Sequence, residues 1–149
     1  MRIATFSQNG NSRLGLILKD LSGVVCDLFT ATEFLQDEEA GKSAWPPHML
    51  ALVRSWSEGG YERIASMQSQ IIDAGPSSAY CIERSLVKLC APLARPGKII
   101  CLAGNYREHI IESGYAAPGQ ADIITQQLFL KPSSSIIGDG DDIVLSSHN

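Results

Sequence analysis

Lys98-Ile-Ile-Cys-Leu-Ala103, then Gly104-Asn105, then Tyr106-Arg-Glu-His-Ile-Ile-Glu-Ser113 with Gly114 behind it, is the stretch on which the fold turns. A short continuous apolar run closed by glycine reads as a buried strand. Asn105 supplies a candidate N-cap for a short helix over Tyr106 to Ser113, and Gly114 a stop. Immediately upstream, Ala91-Pro-Leu-Ala-Arg-Pro-Gly97 carries two prolines and a glycine, as a linker does. Downstream, Leu128-Phe-Leu-Lys131 and Ile143-Val-Leu145 read as further strands, with Gly138-Asp-Gly140 as a turn between them. The chain is therefore expected to be α+β, with a small mixed N-terminal domain over residues 1–90 and the first part of a β-rich domain over 91–149. About sixty residues with three strand candidates make a poor closed core.

The N-terminal part opens on strand pattern. Arg2 to Ser7 alternates, Asn9-Gly10 is a strong hairpin signal, and Arg13 to Lys19 follows as the second strand. A turn at Asp20-Leu-Ser-Gly23 leads into Val24-Val-Cys-Asp-Leu28. Thr30 and Glu33 have capping-box spacing for a helix that Gly41 can stop, and Pro46-Pro47 forces a break. Leu50, Val53 and Trp56 fall on one helical face, and Gly59-Gly60 ends that segment. Ile64, Met67, Ile71 and Ile72 form the apolar stripe of another helix, closed by Gly75-Pro76; both stripes read as core faces.

Composition narrows the function classes. The 149 residues are 44% hydrophobic and 19% charged, with a formal net charge of -4, which excludes a disordered chain. Twelve basic residues against sixteen acidic ones lack the electrostatic footprint of a nucleic-acid binder. No stretch approaches the about 18 apolar residues of a membrane span, and the N-terminus turns polar before a signal-peptide core could form. A cytoplasmic protein is the expectation. Cys26, Cys81, Cys90 and Cys101 show no C-x-x-C pair and no zinc spacing; in a chain this size they need not form disulfides, and they read as structural residues, Cys101 as a buried free thiol. The Gly-x-Ser-x-Gly elbow and phosphate-binding loops are absent.

Chemistry concentrates in the decisive stretch. His109 and Glu112 are three apart, so in a helix they share a face. A carboxylate beside an imidazole fixes its tautomer and stabilises the imidazolium, as acid–base work requires. By spacing alone, the pair is also at home on a solvated surface helix. Lys131, ending an apolar strand before Pro-Ser-Ser-Ser135, can present its ammonium to a carboxylate or enolate oxygen, or can simply snorkel at the surface. Asp139, Asp141 and Asp142 invite a calcium reading, but the loop pattern is missing and a solvated acidic turn fits better. His48 and His148 have no partner at useful spacing.

Pro96-Gly-Lys-Ile-Ile-Cys-Leu-Ala-Gly-Asn-Tyr-Arg-Glu-His109-Ile-Ile-Glu112 resembles the opening of the catalytic domain of the fumarylacetoacetate hydrolase family. Phe129-Leu-Lys-Pro-Ser-Ser-Ser135 and Ile137-Gly-Asp-Gly-Asp-Asp-Ile-Val-Leu145 continue the resemblance in order, over roughly residues 91 to 145. Residues 1–90 loosely resemble the variable domain that precedes it. The resemblance implies a β-roll catalytic domain, a divalent metal (Mg²⁺ or Mn²⁺) in the complete enzyme, and a small diketo or 2-oxo acid substrate. Members cleave carbon–carbon bonds, decarboxylate, isomerise or hydrate such acids, the metal stabilising an enolate. It further implies His109 and Glu112 as the catalytic pair, Lys131 near the substrate, Asn105 and Tyr106 as pocket-lining residues, and a homodimer for the complete protein. The family's metal ligands lie in a Glu-x-Glu strand and beyond, and the chain stops at Asn149 before them. A fragment that binds no metal of its own is thus expected. The alternative is a non-catalytic module acting through folding or dimer contacts. The particular keto acid and the reaction variant stay open at this point.

Overall fold

Asn9 and Gly10 both adopt positive φ, 52° and 80°, the backbone of the two-residue turn that matches the twist of antiparallel strands. They join β1 (Arg2–Gln8) to β2 (Asn11–Ile17), with Gln8 opposite Asn11 and Arg2 opposite Ile17. The computed structural model describes residues 2–21, 23–35, 45–103, 106–114 and 127–145. By their contacts they fall into two units: one takes in the chain up to Ala94 together with the segment from Ile137 on, the other is Arg95–Ile136.

The first unit is built on an antiparallel sheet of order β4-β3-β2-β1-β5, where β3 is Val24–Asp27, β4 Cys81–Glu83 and β5 Lys88–Cys90. Helices α1 (Leu28–Leu35), α2 (Met49–Arg54) and α3 (Gly60–Ala74) follow β3 in the chain. The strand alternation sends Leu14, Leu16 and Cys26 into one core with Leu28, Ala31, Met49, Leu52, Ile64, Met67, Ile71 and Tyr80. Phe6, Ile17 and Val25 form a second, smaller cluster, with Ile82, Val87 and Leu89 against it. Gly15 makes that cluster possible. A Cβ there would stand 2.5 Å from Val25 Cγ1 and 3.0 Å from the Phe6 ring. The fold is a mixed α+β one, as the pattern predicts.

Helix α1 does not start at Thr30. Asp27 caps it, its Oδ1 accepting the Phe29 N–H at 2.9 Å and the Thr30 N–H at 3.3 Å, while Arg13 Nη1 binds Oδ2 at 2.5 Å. Asp27 is 1% exposed, the only charged residue buried in the core among the described residues. The stop expected at Gly41 lies outside the described residues. His48 also has a partner: its Nδ1 accepts the Ala51 N–H at 3.2 Å and caps α2.

The stripe of Leu50, Val53 and Trp56 is not a core face. These side chains are exposed, and Met49 and Leu52 are buried instead. Three-residue spacing does place these side chains on one face, through the six residues of α2 and the 3-10 turn Trp56–Glu58 after it, but it is the face turned to solvent. In α3, Ile64, Met67 and Ile71 are buried as predicted, whereas Ile72, one position further round the helix, is exposed. Strands β4 and β5, three residues each, were too short to show a period in the sequence. They hold the two edges of the sheet.

The cysteine reading needs correction. Cys26 and Cys81 stand opposite each other on β3 and β4 and form a disulfide, with Cα atoms 4.0 Å apart. The sequence separation of 55 gave no hint, since the pairing is made by the sheet register. Cys90 and Cys101 are free and half-buried, so Cys101 is not the buried thiol expected.

The second unit contains β6 (Ile99–Ala103), helix α4 (Arg107–Glu112) and β7 (Gln127–Lys131). β6 and β7 pair antiparallel, with Ile99 opposite Lys131, Cys101 opposite Phe129 and Leu102 opposite Leu128. The strand expected at Ile143–Leu145 is not formed. Its residues have no ladder partner among the described ones and are 78%, 90% and 84% exposed.

Candidate active site

Residues 99–112 deliver the strand-to-helix arrangement that the sequence predicts. β6 carries the chain to Tyr106, whose extended backbone (φ -115°, ψ 122°) is the N-cap of α4 and whose carbonyl accepts the Ile110 N–H at 3.1 Å. No side chain caps this end among the described residues, and Asn105, expected to do so, lies outside them. At the other end, Ser113 N–H bonds the His109 carbonyl at 3.0 Å, Ser113 Oγ bonds the Ile110 carbonyl at 2.9 Å, and Gly114 takes φ 74°. Six helical residues are too few to hold themselves in water. The anchor is Ile110, 5% exposed.

With Ile110 turned inward, His109 and Glu112 are left exposed, three residues apart on the helix. No hydrogen bond or ion pair joins them to each other or to Lys131 among the described residues. An exposed imidazole and carboxylate at this spacing can exchange protons with a bound molecule, and the carboxylate can orient the ring once it closes on it. Tyr106 is 68% exposed, its ring uncommitted to the core.

Lys131 ends β7 opposite Ile99, exposed, its Nζ 6.0 Å from the centroid of the Phe129 ring on the same strand. This is the outer limit of a cation–π contact, so the ammonium is held loosely. The alternation of the hairpin puts Ile100, Leu102, Leu128 and Leu130 on the other face, where all four are exposed, from 46% to 72%.

The acidic turn is not simply solvated. Asp141 Oδ1 lies 2.5 Å from Lys88 Nζ, and Asp139 Oδ2 lies 3.1 Å from Arg84 Nη2. Lys88 and the Gly138 N–H hold the Asp141 carboxyl below its ordinary range, and Asp141 in turn raises the Lys88 ammonium. The sequence reading missed both basic partners, because they are fifty residues away and only the fold brings them near.

These carboxylates do not make a metal cradle. A hard divalent ion needs several converging oxygens. Two of the three aspartates here answer to Lys88 and Arg84, and the described residues contain no group of three or more His, Cys, Asp or Glu placed to hold an ion. The described residues do not fit Mg²⁺ or Mn²⁺. Among the described residues no helix is long and apolar enough to cross a membrane.

His109 and Glu112 are exposed on α4, and Lys131 is exposed at the end of β7: groups that can exchange a proton and face an anion. Residues 98–149 match the family model described as fumarylacetoacetate (FAA) hydrolase C-terminal. The chain is also 30% identical over 145 residues to the mitochondrial oxaloacetate tautomerase fahd2 of Xenopus laevis, a match covering 96% of this chain and 38% of that protein. It is 42% identical over 64 residues to the mitochondrial oxaloacetate tautomerase Fahd2a of Rattus norvegicus (43% of this chain, 19% of that one). It is likewise 42% identical over 66 residues to the oxaloacetate tautomerase YisK of Bacillus subtilis (43% and 20%). The chain belongs to the fumarylacetoacetate hydrolase family, whose members named here are enzymes. It spans less than half the length of these relatives.

Proposed function

We propose that this chain carries the acid–base portion of an enzyme that interconverts the keto and enol forms of a small 2-oxo acid such as oxaloacetate. The observation that supports it is the exposed His109–Glu112 pair on α4, inside the segment that matches the family model. In this reading the His109 imidazole takes the proton from the carbon next to the carbonyl, and the same proton inventory is restored at the carbonyl oxygen, so no atom is gained or lost. Glu112 holds the imidazole in the tautomer that accepts and stabilises the imidazolium. Lys131 serves the developing enolate or a substrate carboxylate, and Tyr106 and Asn105 are assigned to substrate contact by the family motif alone. Mg²⁺ or Mn²⁺, if bound by the whole protein, would polarise adjacent substrate oxygens.

The domain division into 1–90 and 91–149, the β-roll, a homodimer and a cytoplasmic location belong to the same proposal. The apolar outer face of Ile100, Leu102, Leu128 and Leu130 supports the β-roll, since it is a surface on which further strands can pack.

The test follows the ultraviolet absorbance of enolic oxaloacetate, with Mg²⁺ and Mn²⁺ supplied. His109→Ala and Glu112→Gln should each lower enzyme-dependent conversion by about 10²–10⁴-fold while leaving the unfolding midpoint in place. Near-full conversion by both variants would remove the pair from the chemistry. A protein that never accelerates conversion, together with a stop codon directly after codon 149, would favour the non-catalytic module.

A further inference from the structure

Among the described residues the sheet of the first unit ends on β5, which pairs with β1 and has no strand on its other side. An open strand edge is a template for another strand, and proteins guard such edges with charge or cover. The turn at Gly138–Asp141 lies against this one. A Cβ on Gly138 would stand 3.2 Å from the Leu89 carbonyl oxygen and 3.4 Å from the Ala91 nitrogen. Leu89 and Ala91 are two apart, so these polar groups share one side of the strand, opposite the side on which Lys88 and Cys90 meet β1. A Cβ on Gly138 would also stand 3.0 Å from Asp141 Oδ2, so a larger residue would make these neighbours give by a few tenths of an ångström.

Charge fastens the turn in place. Lys88 on β5 reaches Asp141 Oδ1 at 2.5 Å, and Arg84, just upstream in a turn of 3-10 helix, reaches Asp139 Oδ2 at 3.1 Å. The second oxygen of Asp141 accepts the Gly138 N–H at 2.7 Å, and the Asp141 N–H closes the turn on the Gly138 carbonyl at 3.3 Å. Asp141 thus couples the closure of the turn to its attachment. Both ion pairs are partly solvated, with side-chain exposures of 61% and 33% for Lys88 and Asp141, and 47% and 66% for Arg84 and Asp139. Salt therefore weakens them.

We propose that the Gly138–Asp141 turn is a charge-held clasp over the outer edge of β5, which keeps that edge from pairing with a second copy of this chain and opens when its ion pairs are screened or neutralised.

Hydrogen exchange of the Gly138 and Ala91 amides, followed by NMR on the 149-residue chain, tests the clasp alongside sedimentation. Lys88→Met should speed exchange at both amides by about twofold to fivefold, and Lys88→Arg should leave it near the unaltered value. Gly138→Ala, which keeps every charge, should also speed exchange at Ala91. Raising salt to about 1 M should act more on the unaltered chain than on Lys88→Met, in which only the Arg84–Asp139 pair is left to screen. The average mass of Lys88→Met should rise with concentration above that of the unaltered chain. Unchanged exchange in Lys88→Met and Gly138→Ala, or equal salt effects in both proteins, would overturn the clasp. Faster exchange with no rise in mass would overturn its role as an edge guard.

Discussion

Replacing Asp27 separates two interactions that one carboxylate makes at the end of β3. Its Oδ1 caps α1 through the Phe29 and Thr30 amides, and its Oδ2 binds Arg13, with the residue 1% exposed. Loss of an N-cap costs about 1 kcal/mol. A charge-assisted hydrogen bond contributes about 1.5–3 kcal/mol when fully desolvated. Arg13 is 42% exposed, so roughly half of that is expected here. Asp27→Asn keeps a capping oxygen but turns an amide N–H₂ toward the guanidinium, and should cost about 1 kcal/mol. Asp27→Ala loses both and should cost about 2–3 kcal/mol. Urea unfolding followed by the fluorescence of Trp45 and Trp56, both in the first unit, gives the comparison. With an m-value of about 1.5 kcal/mol/M, the midpoint should fall by about 0.7 M for Asn and about 1.7 M for Ala. Equal midpoints for the two variants would show that the cap contributes nothing. Both within about 0.5 kcal/mol of the unaltered protein would refute the reasoning altogether.

The disulfide and the clasp give two more expectations. Unfolded without reductant, the protein should titrate two thiols, Cys90 and Cys101, and four after reduction; four at the outset would mean that Cys26 and Cys81 are unlinked. With a separation of 55 residues, the chain-entropy model puts the stabilisation by this link at about 4 kcal/mol, so reductant should lower the urea midpoint clearly. For the clasp, Asp141 is held below its ordinary value by Lys88 and the Gly138 N–H, so its contribution is present above the ordinary carboxylate range and is lost as pH falls through the lowered value. Lys88 is raised by Asp141, with the Cys90 thiol beside it adding in the same sense, so its contribution is lost only as pH rises through that raised value. The Gly138 amide shift should therefore be flat across neutral pH and change at both extremes, and the acid limb should vanish in Asp141→Asn. An acid limb that survives in that variant would assign it to another group.

What the sequence determined by itself is local. The hairpin at Asn9-Gly10 was legible because positive φ at two adjacent positions selects those residues. The core face of α3 was legible because fifteen residues sustain a helical period, and the strand-to-helix unit around His109 because apolar run, turn and helix follow one another without interruption. The family motif stood in the same local stretch. Tertiary structure decided whatever depends on residues distant in the chain. Cys26 meets Cys81 only through strand register, Arg13 reaches Asp27 across β2 and β3, and Lys88 and Arg84 take up Asp141 and Asp139 across fifty residues. Helix α2 shows the same limit from the other side. Its period was real but ran for too few residues, so the packing around Met49 and Leu52, and not the spacing of Leu50, Val53 and Trp56, chose the buried face. A period or a turn is written in neighbouring residues, whereas burial and pairing are properties of the partner that the folded chain brings alongside.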